Sequence, residues 1–140
     1  MNWLGYALLS ALFAGLVAIF GKVGVREVDS TVATAVRACI MALALILLVL
    51  GKGGAIASIR LIAPRSWTFI ILAGLAGAAS WLCYFRALQI GDAARVAPID
   101  RLSVLVAVAC GAMFLGEKLT AGVGVGALLV LGGSILIARG

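Results

Sequence analysis

The stretch WLGYALLSALFAGLVAIFG, Trp3 to Gly21, runs for 19 residues without a charged side chain. Ser66 to Phe85 and Leu119 to Ala138 repeat the pattern for 20 residues each. About 20 apolar residues in a helix cross the ~30 Å hydrocarbon core of a bilayer. Strands of a membrane barrel would instead alternate polar and apolar residues over ~10 positions, so a barrel is excluded. Two further apolar runs carry charges: Ser30 to Gly51 contains Arg37, and Ala94 to Gly116 contains Arg95, Asp100 and Arg101. The expected fold is therefore an all-α membrane protein with five transmembrane helices in one bundle, at about 3–21, 30–51, 66–87, 94–116 and 119–138. Residues 1–140 are read as a single domain, because no connection is long enough to be a linker.

Composition supports this reading. The chain is 65% hydrophobic, the 18 glycines take the apolar share past three quarters, and only 11% of residues are charged. A soluble domain of this length buries about 70% of the surface its unfolded chain exposes, too little to hide so much apolar area. A soluble enzyme, a disordered chain and a disulfide scaffold are excluded. Eleven Lys and Arg against five Asp and Glu give a net charge of +6. These charges are scattered between apolar stretches, unlike the clustered face of a nucleic-acid binder. Cys39, Cys83 and Cys110 lack metal-ligand spacing and read as small packing residues. No basic residue precedes the first apolar run, so a cleaved signal peptide is not expected. Lys52 to Arg65, with Ile56, Ile59 and Ile62, reads as an interfacial helix or a mobile loop. Small residues at helical spacing, such as Gly74 and Gly77, or Gly122 and Gly126, read as helix-packing faces, with a dimer face on the fifth span as a second reading.

Five spans place the termini on opposite sides of the membrane. Lys52, Arg60, Arg65 and Lys118 then lie on one side, and Lys22, Arg26, Arg95 and Arg139 on the other. Orientation normally follows an excess of Lys and Arg on cytoplasmic loops. The balanced count suggests dual insertion and an antiparallel homodimer, which would reproduce the inverted repeat that many transporters carry within one chain. A misassigned loop residue such as Arg95, hiding a modest bias, is the competing explanation.

Ionisable groups within spans cost ~2.5–3.5 kcal/mol each at a helix centre and are functional candidates by default. At ~1.5 Å per residue, Arg37 lies about 10 Å in from Ser30, and Asp100 about 9 Å in from Ala94. Arg37, Asp100 and Arg101 can thus share one depth. Trp81 and Tyr84 share a stripe of the third span with Gly74 and Gly77. The expected substrate-binding set is Arg37, Trp81, Tyr84, Asp100 and Arg101. Two other readings stay open. The fourth helix can begin at Pro98, leaving Asp100 near a helix N-terminus at the surface while Arg37 and Arg101 snorkel. Alternatively, Arg37 and Asp100 form a structural ion pair.

Tyr84-Phe85-Arg86-Ala87-Leu88, Ala97-Pro98-Ile99, and Phe114-Leu115-Gly116-Glu117 followed by Gly126-Ala127 and Gly132 resemble the EamA domain of the drug/metabolite transporter superfamily. The resemblance covers nearly the whole chain and implies alternating-access transport of small metabolites or drugs. Most members carry two such domains in opposite orientation, so a single copy implies a homodimer. The related small multidrug resistance proteins have a membrane-embedded Glu in their first span, whereas this first span has no acid. Their proton-coupled cation chemistry is therefore not carried over.

The expected function is a secondary transporter in a bacterial cell inner membrane. Within the spans Arg37, Arg86 and Arg101 outnumber Asp100, favouring an anionic or zwitterionic solute. Proton coupling through Asp100 would need burial to raise its pKa against neighbouring arginines. Glu117, beside Lys118, reads as a turn residue. The alternative is a non-transporting membrane subunit that assembles with a partner protein. No enzyme, cofactor, metal or nucleic-acid partner is expected, since histidine and any nucleophile–base pair are lacking.

Overall fold

The computed structural model describes residues 2–53 and 59–140. They form α1 (Trp3–Gly24), α2 (Ser30–Gly51), α3 (Pro64–Ile90), α4 (Ala93–Asp100), α5 (Ser103–Phe114) and α6 (Ala121–Arg139), with no strand among the described residues. Counting Ala93–Phe114 as one span, five helices among the described residues are long and apolar enough to cross a membrane. The core of the proposed interfacial segment, Ile56 included, lies outside the described residues.

The residue pattern is that of a chain dissolved in lipid. Among the described residues Ala18, Val25, Tyr84, Phe85 and Leu88 are the buried hydrophobic ones, whereas Leu75, Leu128 and Leu136 are about two-thirds exposed or more. Hydrocarbon is as apolar as leucine, so exposure of these side chains carries no penalty there. Cys39, Cys83 and Cys110 are likewise exposed and free. They do not pack inside the chain, contrary to the sequence expectation, because a thiol is a tolerable lipid-facing group.

Helix boundaries follow local chemistry. Asn2 Oδ1 accepts the Gly5 amide at 3.0 Å at the start of α1. Asp29 Oδ1 accepts the amides of Thr31 and Val32 at 2.8 and 3.1 Å, capping α2. Those bonds, first to Val32 and then to Thr31, hold the Asp29 carboxyl below its ordinary pKa. Pro64 opens α3, where its missing amide proton is not needed. Thr120 Oγ1 accepts the Val123 amide at 3.3 Å at the start of α6. Gly116, at φ +67°, turns the chain after α5. This lets the Glu117 amide return to the Gly111 carbonyl at 3.1 Å. A Cβ on Gly111 would stand 2.6 Å from Glu117 Oε2, so the glycine makes room for the carboxylate folded back over α5. Glu117 is thus part of a turn.

The chain forms two compact units, Gly24–Gln89 and Met1–Val23 with Ile90–Gly140. In the first, Gln89 Nε2 donates to the carbonyls of Val25 and Val28 at 3.3 and 3.0 Å, while Gln89 Oε1 accepts from Arg86 at 2.6 Å. One amide side chain thereby ties the α1–α2 connection to the end of α3. In the second unit, α6 packs chiefly against α4 and less against α5. Lys22 Nζ donates to the Gly91 carbonyl at 2.7 Å, and Arg95 donates to the Gly140 carbonyl at 3.0 Å.

The glycine faces differ from expectation. A Cβ added at Gly15, Gly74, Gly77, Gly126, Gly132 or Gly133 would meet nothing within 4 Å. These glycines do not bring helix backbones into close contact within the chain. At Gly74, Gly77, Gly15 and Gly133 the small residues leave hollows instead.

Candidate functional site

The hollow of the Gly24–Gln89 unit is about 490 Å³ and lies along facing stripes of α2 and α3. Thr34, Arg37 and Met41 recur at one-turn spacing on α2, and Gly74, Gly77 and Trp81 do the same on α3. Residues three or four apart share a helix face, so each set forms one wall. Because glycine has no side chain, the α3 wall is open until it reaches Trp81.

Arg37 and Trp81 meet at that end. The guanidinium carbon of Arg37 stands 3.6 Å from the centre of the Trp81 ring and 5.6 Å from that of Phe85. A cation over an indole face is attracted by the ring quadrupole, by ~2 kcal/mol or more when desolvated. Tyr84 meets Trp81 edge to face, with centroids 5.5 Å apart at 88°, and Phe85 does so at 5.8 Å and 66°. Both are buried. Such aromatic pairs add ~0.5–1.5 kcal/mol beyond area burial and fix the indole in place. Tyr84 therefore stands off the cavity wall and supports Trp81.

Arg37 is only half-buried. Among the described residues its partners are rings, and no hydrogen bond or ion pair engages it. Its N–H donors remain available to an oxyanion, which a guanidinium can hold in a bidentate pair. Thr34 is buried, and its hydroxyl donates to the Ser30 carbonyl at 2.7 Å, so only its lone pairs face further partners.

Asp100 and Arg101 belong to the other unit, where they mark a break in the fourth span. Helix α4 ends at Asp100 and α5 begins at Ser103. Pro98 is inside α4, not at the start of the helix, so the reading in which the helix begins at Pro98 does not hold. The Leu102 amide bonds to Ile99 O at 2.9 Å, a tight turn that denies it to the Pro98 carbonyl four residues back. Ser134 of α6 supplies the missing donor, its hydroxyl reaching Pro98 O at 2.8 Å. Ser134 is buried, at 4% exposure. The break leaves Asp100 half-buried and Arg101 exposed. Arg101 lines a second hollow of about 460 Å³ together with Ala11, Gly15, Pro98, Gly133 and Ser134.

Sequence reasoning missed Ser134 and Thr34. Ser134 is the one hydroxyl residue within α6, and Thr34 lies three residues before Arg37. An isolated hydroxyl in an apolar helix was the available signal for Ser134, whereas Thr34 continues a polar stripe from Thr31 to Arg37 at one-turn spacing.

The model of the EamA-like transporter family matches residues 1–139. A protein of Sinorhizobium sp. named "Uncharacterized transporter in cobO 3'region" is 44% identical over 137 residues, covering 98% of this chain and 96% of that one. No solved structure matches. With five apolar helices of spanning length and a family match along nearly its whole length, the chain is an integral membrane protein and belongs to the EamA-like transporter family.

Proposed function

We propose that the protein is a secondary transporter moving a small anionic or zwitterionic metabolite or drug across the membrane by alternating access. The observation that carries this reading is the Arg37 guanidinium held over Trp81 at the wall of a cavity within apolar spans. A cation at such depth is costly. No acidic side chain is among the described residues of that wall. An arriving anion would offset the cost, and Trp81 keeps the guanidinium in place between arrivals.

Arg37 and Trp81, with Tyr84 behind the indole, are the proposed substrate-binding residues of the Gly24–Gln89 unit, and Asp100 and Arg101 are proposed to contribute from their own unit, at the break between α4 and α5. The broken α4–α5 span supports their inclusion, since interrupted helices form the substrate and ion sites of many transporters. Five spans and a balanced loop charge support an antiparallel homodimer, and the lipid-dissolved surface with short connections suits a bacterial inner membrane.

The test is exchange in proteoliposomes, screening monocarboxylates, dicarboxylates and amino acids for saturable counterflow. Asp100→Asn is expected to abolish exchange of the responding solute while the protein stays folded and dimeric. Undiminished exchange would remove Asp100 from the mechanism, and absence of counterflow with every class would defeat the transporter reading.

A further inference from the structure

We infer that the Arg37 cavity selects an amphipathic monoanion: one carboxylate or comparable bidentate oxyanion on an apolar body, in preference to zwitterions, dianions and cations. This rests on the transporter reading and narrows it to a substrate class.

The wall carries one ionised group. Arg37 is the sole charged side chain among the described lining residues; the rest are Thr31 and Thr34 together with Ala, Gly, Met, Trp and Leu. An oxyanion finds a guanidinium with unpaired donors. A second anionic group finds no second cation. An ammonium finds no acid, and the aromatic face that could attract it is already covered by the guanidinium at 3.6 Å. Burying a charge without a partner costs several kcal/mol, so each of these mismatches is penalised heavily. The remainder of the solute lies against Ala38, Met41, Gly74 and Gly77, which offer no hydrogen-bonding side chain. At about 490 Å³ the space is of small-molecule size.

A series of four small aliphatic ligands that differ in charge tests this. Trp3→Phe and Trp67→Phe, at positions off the cavity wall, leave Trp81 as the single indole. Its fluorescence in neutral detergent is titrated with 4-methylpentanoate, leucine, 3-methylbutylamine and adipate. Saturable binding of 4-methylpentanoate is expected, with leucine and adipate weaker by roughly thirtyfold or more and the amine inert. Arg37→Gln should weaken the monoanion about a hundredfold, and Arg37→Lys by less, because the charge survives without the planar fork. The Lys variant and the unaltered site keep the test decisive if Arg37→Gln does not fold.

Leucine binding as tightly as 4-methylpentanoate would overturn the substrate class while leaving the transporter reading intact. If that leucine binding vanished in Asp100→Asn, an acid from outside the wall would be at work. No saturable signal with any of the four ligands would overturn the cavity as the site, whereas exchange failing despite monoanion binding would overturn the transporter reading alone. A phospholipid phosphate offers similar chemistry from another source. Affinity for 4-methylpentanoate is expected to be the same in phosphatidylcholine nanodiscs with or without phosphatidylglycerol. Loss of binding as the anionic lipid is added would assign Arg37 to lipid and overturn the inference.

Discussion

Ser134→Ala removes a single oxygen from the protein, yet it strips the Pro98 carbonyl of its partner. That carbonyl cannot recover its usual helical donor, because the Leu102 amide is engaged with Ile99 O at 2.9 Å. The lost bond is short, at 2.8 Å, and its donor residue is 4% exposed, so water does not readily replace it. An orphaned buried acceptor costs ~1–3 kcal/mol in soluble proteins. Side-chain hydrogen bonds between membrane helices average only ~0.6 kcal/mol, with a maximum near 1.7, because the unfolded chain in lipid also finds partners. The Pro98 carbonyl is constrained more than average, which places the expected loss at about 1–1.5 kcal/mol. Reversible unfolding in mixed micelles, followed by tryptophan fluorescence and circular dichroism, measures it. Ser134→Thr keeps the hydroxyl and borders a hollow that can admit its extra methyl, so it should lose less than Ser134→Ala. A Ser134→Ala variant as stable as the wild type would show that this bond does not hold the helix break.

Other expectations follow from the same geometry. Gly77→Ala places its Cβ in open space. It should keep function and gain up to about 1 kcal/mol of helix stability, whereas Gly77→Leu should block exchange by filling the cavity, with circular dichroism unchanged. The Asp29 carboxyl has its pKa lowered from 3.8 by the Val32 and Thr31 amides. Its stabilising effect is therefore full above 3.8 and is lost as pH falls through the lower folded value. Melting temperature should drop across that acid window in wild type relative to Asp29→Asn, whose amide caps without titrating. Finally, in a variant lacking Cys39, Cys83 and Cys110, a cysteine introduced at either end should be labelled from both sides of a sealed membrane. Labelling from one side only would rule out dual insertion.

The spans were legible because their signal is cumulative: a run such as Trp3 to Gly21 has only one cheap environment. The start of the third span reads from the sequence as Ser66, because Arg65 ends the uncharged run, whereas α3 already begins at Pro64. The break after Asp100 was harder to read. Pro98, Asp100 and Arg101 announce an irregularity, but its position depends on the Ser134 hydroxyl, 36 residues away in sequence. The glycines misled for a related reason. Missing side chains let backbones approach or leave a hollow, and only the spacing of the helices decides which. Gly74 and Gly77 leave a hollow. Arg37 and Trp81 stood out singly, the first as a charge within a span and the second as an aromatic beside small residues. Their contact depends on the register of α3 against α2, which neither helix encodes alone. Tyr84 shared the stripe with Trp81, but its burial behind the indole came from the packing with Phe85.

Counterflow of a labelled monocarboxylate into preloaded proteoliposomes, comparing wild type with Arg37→Gln and Arg37→Lys, bears most directly on the role of the guanidinium. Saturable accumulation by wild type, partial accumulation by the Lys variant and none by the folded Gln variant is the predicted result. Accumulation by Arg37→Gln at the wild-type rate and affinity would contradict it, because the solute would then cross without the one cation of the cavity wall.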